Sequence, residues 1–487
     1  VDRRSIIRSL GLVTLGKILG QIVSWSATIL VMRWLTPADY GLSATVFALL
    51  ALLTAPTEYV LINQLVRHSR NIQSTQRSYE GFAVTLSGFS ILILLLAGQY
   101  YAHIPGKEAL QTGMLLIALH LVLLPLRIGP EAQILREMRY GEQVRVTLTA
   151  SLIGASVTLL GALAGAGFLA LLIGPIAREA TLCVGYRRCT RTPFRPLLTL
   201  ARLRVVLIRS RRLMLTEFLV HAGGAIPILI YAQFITVTEM GYFTTASYWA
   251  LMPLSKVMNI VNQVALPAFS KENHRTGTLS SMQIILPVKL MLIASILLYS
   301  LLGLLAAPFV MLVLGEQWLP MAALLPIFCL SMPLRAIRSF LVSPLQAAKH
   351  DAALLRMQLV QVSATCFGAL MAIQVSFEWL TPIHVAFSMA GASVAIVIAL
   401  RALHTPLREV LLPLSRATLI AGVALLLTIT TQAMLQSQPA LISAGVQTVF
   451  FLIVCGTGLF LFEPMIRTIA QRRWRSCGSA TDSSRRP

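Results

Sequence analysis

Charge is scarce in this sequence. Only 12% of its 487 residues are Asp, Glu, Lys or Arg, about half the share of a soluble globular chain. With 56% hydrophobic residues, too few polar groups remain to cover the apolar surface, so lipid must act as solvent and a water-soluble domain is excluded. Acids are scarcer still: 18 Asp and Glu stand against 40 Lys and Arg, for a net charge of +22. That excess could signal nucleic acid, but the basic residues do not share one aromatic-studded surface. They fall in short clusters between apolar runs, so no nucleic-acid partner is expected. Cysteine is sparse too. Cys183, Cys189, Cys329, Cys366, Cys455 and Cys477 form no CxxC pair, and four lie in apolar runs, which reads as small core hydrophobes. The eight histidines show no metal-ligand spacing, and no metal or cofactor is expected.

Long apolar runs are what is abundant. A membrane helix needs about 20 mainly apolar residues. Such spans are expected at 11–33, 41–66, 80–102, 109–131, 144–165, 168–186, 213–236, 241–267, 282–306, 318–342, 354–377, 379–401, 414–435 and 441–463. The fold expected is an all-α polytopic membrane protein with about 14 transmembrane helices. Arg3, Arg4 and Arg8 precede the first run without a small-residue cleavage site, the pattern of an uncleaved first helix.

Basic residues stay cytoplasmic. Arg67, Arg70 and Arg77 mark the loop after the second span, and Arg136, Arg139 and Arg145 the loop after the fourth. The alternate loops carry only Arg33 at a helix end and Lys107, while Arg467, Arg472, Arg473 and Arg475 crowd the tail. Both termini are therefore expected in the cytoplasm of a bacterial inner-membrane protein. The break at 187–212 holds nine arginines and no acid. Its segment from Leu197 to Ile208 reads either as a helix on the anionic leaflet or as a basic linker that only fixes topology.

The chain repeats at an offset of about 200 residues. Thr36, Asp39 and Gly41 correspond to Thr236, Glu239 and Gly241. Asn63 and Gln64 correspond to Asn262 and Gln263, and Pro125-Leu126-Arg127 to Pro333-Leu334-Arg335. Six helices per copy fit this offset. Parallel repeats imply two lobes related by a pseudo-two-fold axis along the membrane normal, with substrate at their interface. The expected organisation is an N-terminal six-helix lobe at 1–186, the linker 187–212, a C-terminal six-helix lobe at 213–401, two extra helices at 402–463 and a basic tail at 464–487.

An ionisable side chain at mid-bilayer costs about 2.5–3.5 kcal/mol on insertion scales, so each one within a span is a functional candidate. Lys17 and Gln21 lie four apart, and the repeat maps them onto Glu217 and His221. Glu58, Arg127, Lys256, Lys289, Arg335 and Arg338 complete the set of cavity candidates. Arg127 with Glu131, and Arg178 with Glu179, read as structural neutralisation. The cationic excess suits an anionic cargo. Two patterns are decoys. Gly11 to Lys17 matches most of a phosphate-binding loop, but Ile18 replaces its hydroxyl residue and the segment is a membrane helix. Gly161 and Gly165 form a GxxxG pattern, which points to close helix packing.

Three segments resemble those of bacterial polysaccharide flippases, in the multidrug/oligosaccharidyl-lipid/polysaccharide (MOP) superfamily. They are Arg33-Trp-Leu-Thr-Pro-Ala-Asp-Tyr-Gly-Leu42, Leu266-Pro-Ala-Phe-Ser270 and Leu314-Gly-Glu-Gln-Trp-Leu-Pro320. The resemblance spans roughly residues 5–400. It departs at Gly223, Gly224 and Ala225, where members often carry Asn or Asp. It implies two six-helix lobes, a V-shaped cavity, alternating access and an undecaprenyl-diphosphate-linked oligosaccharide as cargo. Membrane lipids, a polysaccharide polymerase and a chain-length regulator would be its partners. An ion-coupled drug exporter of the same superfamily is the alternative, expected to have an acidic, aromatic cavity. A membrane glycan polymerase or ligase would carry a large external loop, and the external loops here are short. Reporter fusions at the C-terminus and after Ala440 are expected in opposite compartments, cytoplasmic and external; the same compartment for both would rule out fourteen spans.

Overall fold

The computed structural model describes residues 26–67, 72–190 and 193–409, and short pieces beyond them up to residue 457. Among these residues there is no strand. Hydrocarbon offers no partner to a backbone N–H, so a helix, which bonds its own, is the economical spanning form. The helices are α1 (26–34), α2 (Pro37–Thr54), α3 (Glu58–Arg67), α4 (Ile72–Ala102), α5 (Ala109–Arg136), α6 (Tyr140–Leu163) and α7 (Phe168–Thr190). They continue with α8 (Leu200–Phe234), α9 (Val237–Thr276), α10 (Ser281–Leu304), the single turn α11 (Ala306–Phe309), α12 (Met321–Ala347), α13 (Asp351–Ala372) and α14 (Phe377–Ala402). Ten segments among the described residues are long and apolar enough to cross a membrane, with α2 and α3 counted as one. The protein is an all-α polytopic membrane protein. Helix α9 covers the expected eighth span and runs for 40 residues, but it is not among these ten. The expected first, thirteenth and fourteenth spans lie largely outside the described residues.

The chain forms two compact units. The first comprises the described residues up to Thr245, with Val313–Trp318 and Thr365–Leu380; the second holds Ala246–Leu312, Leu319–Ala364 and the described residues from Thr381 on. In the first unit, Val60, Leu61, Leu124, Ile128, Val206 and Met214 form a buried core shared by α3, α5 and α8.

The repeat is visible in local geometry. The Thr36 backbone N–H and hydroxyl donate to the Asp39 carboxylate at 2.9 and 2.7 Å, and Thr36 Oγ1 accepts from the Asp39 N–H at 3.3 Å. Thr236 and Glu239 repeat this capping box at 2.9, 2.8 and 3.2 Å. Each box satisfies backbone donors that a helix start leaves open. The two starts then meet. A Cβ on Gly41 would lie 1.8 Å from the Val237 carbonyl oxygen, and one on Gly241 would lie 1.8 Å from that of Pro37. Only glycine permits this reciprocal approach of two backbones.

The segment Val313–Trp318 docks on the same place in the first unit. Trp318, fully buried, donates its Nε1–H to the Met32 carbonyl at 2.9 Å. Gln317 Nε2 donates to the Met32 and Leu35 carbonyls at 2.9 and 3.2 Å. These carbonyls close α1, where the helix leaves acceptors without intrahelical donors. Tyr40 and Tyr242 each stand edge-on to the Trp318 ring, at centroid distances of 5.2 and 6.4 Å. Two of the three flippase-like motifs thus pack together.

The arginine-rich break begins in the last residues of α7 and is described again from residue 193. Leu197 N–H donates to the Arg77 carbonyl at 2.8 Å, and Arg77 Nε donates to the Arg195 carbonyl at 3.0 Å. The segment therefore lies across α4. From Leu200 it is helical and continuous with the span that follows, in one helix of 35 residues. Val206, Ser210 and Met214, at four-residue spacing, are buried, while Arg204, Arg209, Arg211 and Arg212 are exposed. In the loop before α5, Lys107 is buried and its ammonium donates to the Ala232 carbonyl in the last turn of α8. A cation suits that negative helix end, and burial holds the ammonium below its ordinary lysine value. The GxxxG pattern is only half on a helix face: Gly161 packs on Ala170, while Gly165, at φ 78°, turns the chain after α6.

Substituting Gly41 by leucine forces its backbone off Val237 and is expected to cost about 3 kcal/mol, the upper end of the overpacking range. The melting temperature in detergent reads this. Gly88→Ala, with open space at its Cβ, is the control and should be neutral or mildly stabilising.

Two candidate arginine centres

Arg127 sits on α5 between Pro125 and Pro130. Each proline lacks the N–H that would bond four residues back, so the carbonyls of Leu121 and Leu126 lose their intrahelical donors while α5 stays helical throughout. The side chain is 6% exposed and meets three carboxylates. Its Nη2 donates to Glu58 Oε1 on α3. Its Nη1 donates to Glu131 Oε2, one turn along α5, at 3.0 Å. Its Nε lies 2.7 Å from Glu179 Oε1 on α7, close as an ion pair but off-line as a hydrogen bond. The carboxylates differ in access: Glu58 is 43% exposed, Glu131 14% and Glu179 1%. His120 and Arg178 lie within electrostatic range of Glu58 and Glu179, respectively, without an ion-pair contact.

Sequence reasoning placed Glu58 and Arg127 among the candidates and paired Arg127 with Glu131; the structure brings all three together. It paired Glu179 with Arg178, and here the structure differs. Neighbours on a helix point about 100° apart and cannot face each other, so Glu179 turns inward to Arg127. The signal for this was the four-residue ladder 175, 179, 183, whose Pro175 flanks the buried Glu179 and Cys183. His120 carried no signal, being one histidine in an apolar run.

The second centre is in the second unit. Arg335 and Arg338 lie three apart on α12, hence on one face. Arg338 Nη1 donates to Gln358 Oε1 on α13 at 3.0 Å, and its buried Nε has no hydrogen-bond partner. Tyr299 and His384 are within electrostatic range of Arg335. Among the described residues, no carboxylate pairs with either arginine. The contrast matters because the repeat equates Arg335 with Arg127: one copy is saturated with acid and the other has none.

The remaining candidates are scattered. Glu217 is half-buried on α8, and the His221 ring approaches its backbone carbonyl at 2.9 Å rather than its carboxylate. Lys256 is half-buried on α9. Lys289 on α10 lies 3.6 Å from Glu409. Lys17 and Gln21 lie outside the described residues.

Residues 30–323 match the family described as polysaccharide biosynthesis protein. That is more than half of the chain, and the chain belongs to this family. Its fold is that of the MOP transporters. It aligns with the lipid II flippase MurJ, in an inward closed conformation, at TM-score 0.75 and 12% identity, over 93% of this chain and 99% of MurJ. A MOP superfamily transporter from Pyrococcus furiosus aligns at TM-score 0.56 and 13% identity, over 81% of this chain and 95% of that one. A multidrug resistance MATE family transporter, inward-facing, aligns at TM-score 0.54 and 11% identity, over 78% and 94%. No curated protein matches by sequence.

Arg127→Met would leave Glu131 and Glu179 buried without their cation and is expected to cost about 3–5 kcal/mol, as when one partner of a buried pair is removed. Thermal melting in detergent should show it, and adding Glu131→Gln and Glu179→Gln should recover part of the loss.

Proposed function

We propose that the protein is a flippase that moves undecaprenyl-diphosphate-linked oligosaccharide repeat units outward across the bacterial inner membrane by alternating access. It would serve exopolysaccharide or O-antigen synthesis, with both termini cytoplasmic and no catalytic chemistry of its own. The family supports a role in polysaccharide biosynthesis, and the MurJ-like fold supports transport. The observation that carries the cargo assignment is the pair Arg335 and Arg338, two guanidiniums on a membrane helix without a carboxylate partner among the described residues. Such a pair is costly unless an anion visits it. A diphosphate offers several oxygens in the planar fork geometry that guanidinium donors match. The sugars would cross in water while the prenyl chain stays in lipid. Lys17, Gln21, Glu58, Arg127, Glu217, His221, Lys256 and Lys289 remain candidate cavity residues under this reading, with Arg127 the least available because acids surround it. A polymerase and a chain-length regulator would act on the delivered units.

A cationic-drug exporter needs carboxylates open to cargo. The acids found around Arg127 are engaged by it, so this reading ranks second. Deletion of the gene should leave lipid-linked oligosaccharide on the cytoplasmic face, unreactive to a sugar-oxidising probe in intact spheroplasts and reactive after lysis. Arg335→Ala or Arg338→Ala should lower surface polymer at least tenfold at normal protein levels, and lysine at either position should restore part of it. Unchanged probe accessibility, with new sensitivity to cationic dyes, would overturn the proposal in favour of drug export.

A further inference from the structure

The face that the arginine-rich connection turns outward suits neither water alone nor hydrocarbon alone. Residues 187–212 hold nine arginines and no acid. Contacts at both ends of the stretch 195–214 reach the same end of α4. Leu197 N–H donates to the Arg77 carbonyl, and a Cβ on Gly81 would lie 2.0 Å from the Leu197 carbonyl oxygen. Further on, Val206 and Met214 share a buried cluster with Tyr79. Tyr79 directly precedes the expected third span, which begins at residue 80. The connection and the first turns of α8 therefore stay at the depth where α4 enters the bilayer.

The outward side chains are of two kinds. Leu198, Leu200, Val205, Leu207 and Ile208 are exposed, Leu200 by 82%. Arg195, Arg202, Arg204, Arg211 and Arg212 are exposed among them, and among the described residues no carboxylate pairs with any of the five. In water the leucines, valine and isoleucine are the misfit, and in hydrocarbon the guanidiniums are. Both kinds are satisfied at the boundary between them. There the short apolar chains enter the acyl layer, and the long arginine stems carry their charge back to the head groups.

We propose that this face is a docking surface for anionic phospholipid. Its head-group phosphates take the fork of guanidinium donors, and its net negative charge answers cations that the chain leaves unpaired. A zwitterionic phospholipid also offers phosphate but carries its own cation beside it, so charge complementarity selects the anionic class. The leaflet is the cytoplasmic one under the orientation proposed above, and that clause alone rests on that reading. Docking ties the connection between α7 and α8 to the bilayer surface, so the order of this segment follows lipid composition.

The test uses the full-length protein in nanodiscs of phosphatidylcholine, with or without phosphatidylglycerol, and amide hydrogen exchange read over residues 195–212. Phosphatidylglycerol is expected to slow exchange there by about tenfold, the order that several arginines near an anionic surface would give, and to leave the loop around Lys107 unchanged. Added salt should shrink the difference. Arg202→Gln, Arg204→Gln, Arg211→Gln and Arg212→Gln combined should abolish it. No slowing in the wild type, or slowing that survives the four substitutions, would overturn the proposal. So would equal slowing by soluble pyrophosphate in phosphatidylcholine alone, which would give the surface to a free diphosphate instead. Because the wild-type comparison alone can refute it, misfolding of the variant does not shelter the proposal. Neither cargo nor export enters this measurement, so its failure is separate from failure of the flippase assignment.

Discussion

A charge inside hydrocarbon must be answered where it sits, because no water reaches it and no counter-ion drifts in. Arg127 shows how much structure that requirement organises. Its guanidinium draws one carboxylate from its own helix and one from each of two others, so α3, α5 and α7 are tied at a single point. A proline stands on either side of it in the same helix. The apolar core of the same unit includes Leu124, about one turn before the arginine, and Ile128, directly after it. The first unit is thus held here by charge as well as by apolar contact.

The duplicated arginine was treated differently in the other copy. Arg335 keeps its Pro-Leu-Arg context but has Arg338 beside it, and among the described residues no acid pairs with either. One repeated position is ringed by three carboxylates in one half and, among the described residues, pairs with none in the other. Under the proposed function, this division suits a carrier that must hold its own charge fixed while letting the cargo's charge move.

Much of this was written in the sequence. Span positions came from runs of apolar residues, since length and composition alone decide whether a helix can cross a bilayer. The repeat came from Thr36, Asp39 and Gly41 and their counterparts, because capping boxes and backbone contacts demand particular residue types. Partners set by helix rotation were not legible. Glu179 was assigned to its chain neighbour Arg178, because a sequence shows adjacency and hides direction. The segment 187–212 reads equally as a helix on the leaflet or as a basic linker, and neither reading shows that Val206 and Met214 turn inward to bind α8 to the core. Lys107 looked like a minor exception to a charge rule, and its role at the end of α8 depends on a fold-back that no local pattern announces.

The meeting of Gly41 with Gly241 has an evolutionary consequence. When a gene doubles, its halves are free to drift apart, and most of this chain has used that freedom. At this crossing each backbone is the wall against which the other rests. Neither half can gain a side chain there unless the other retreats, so the two copies are bound to a shared history at that point. Among descendants of the duplication, this pair should be the last place where the ancestral symmetry fades.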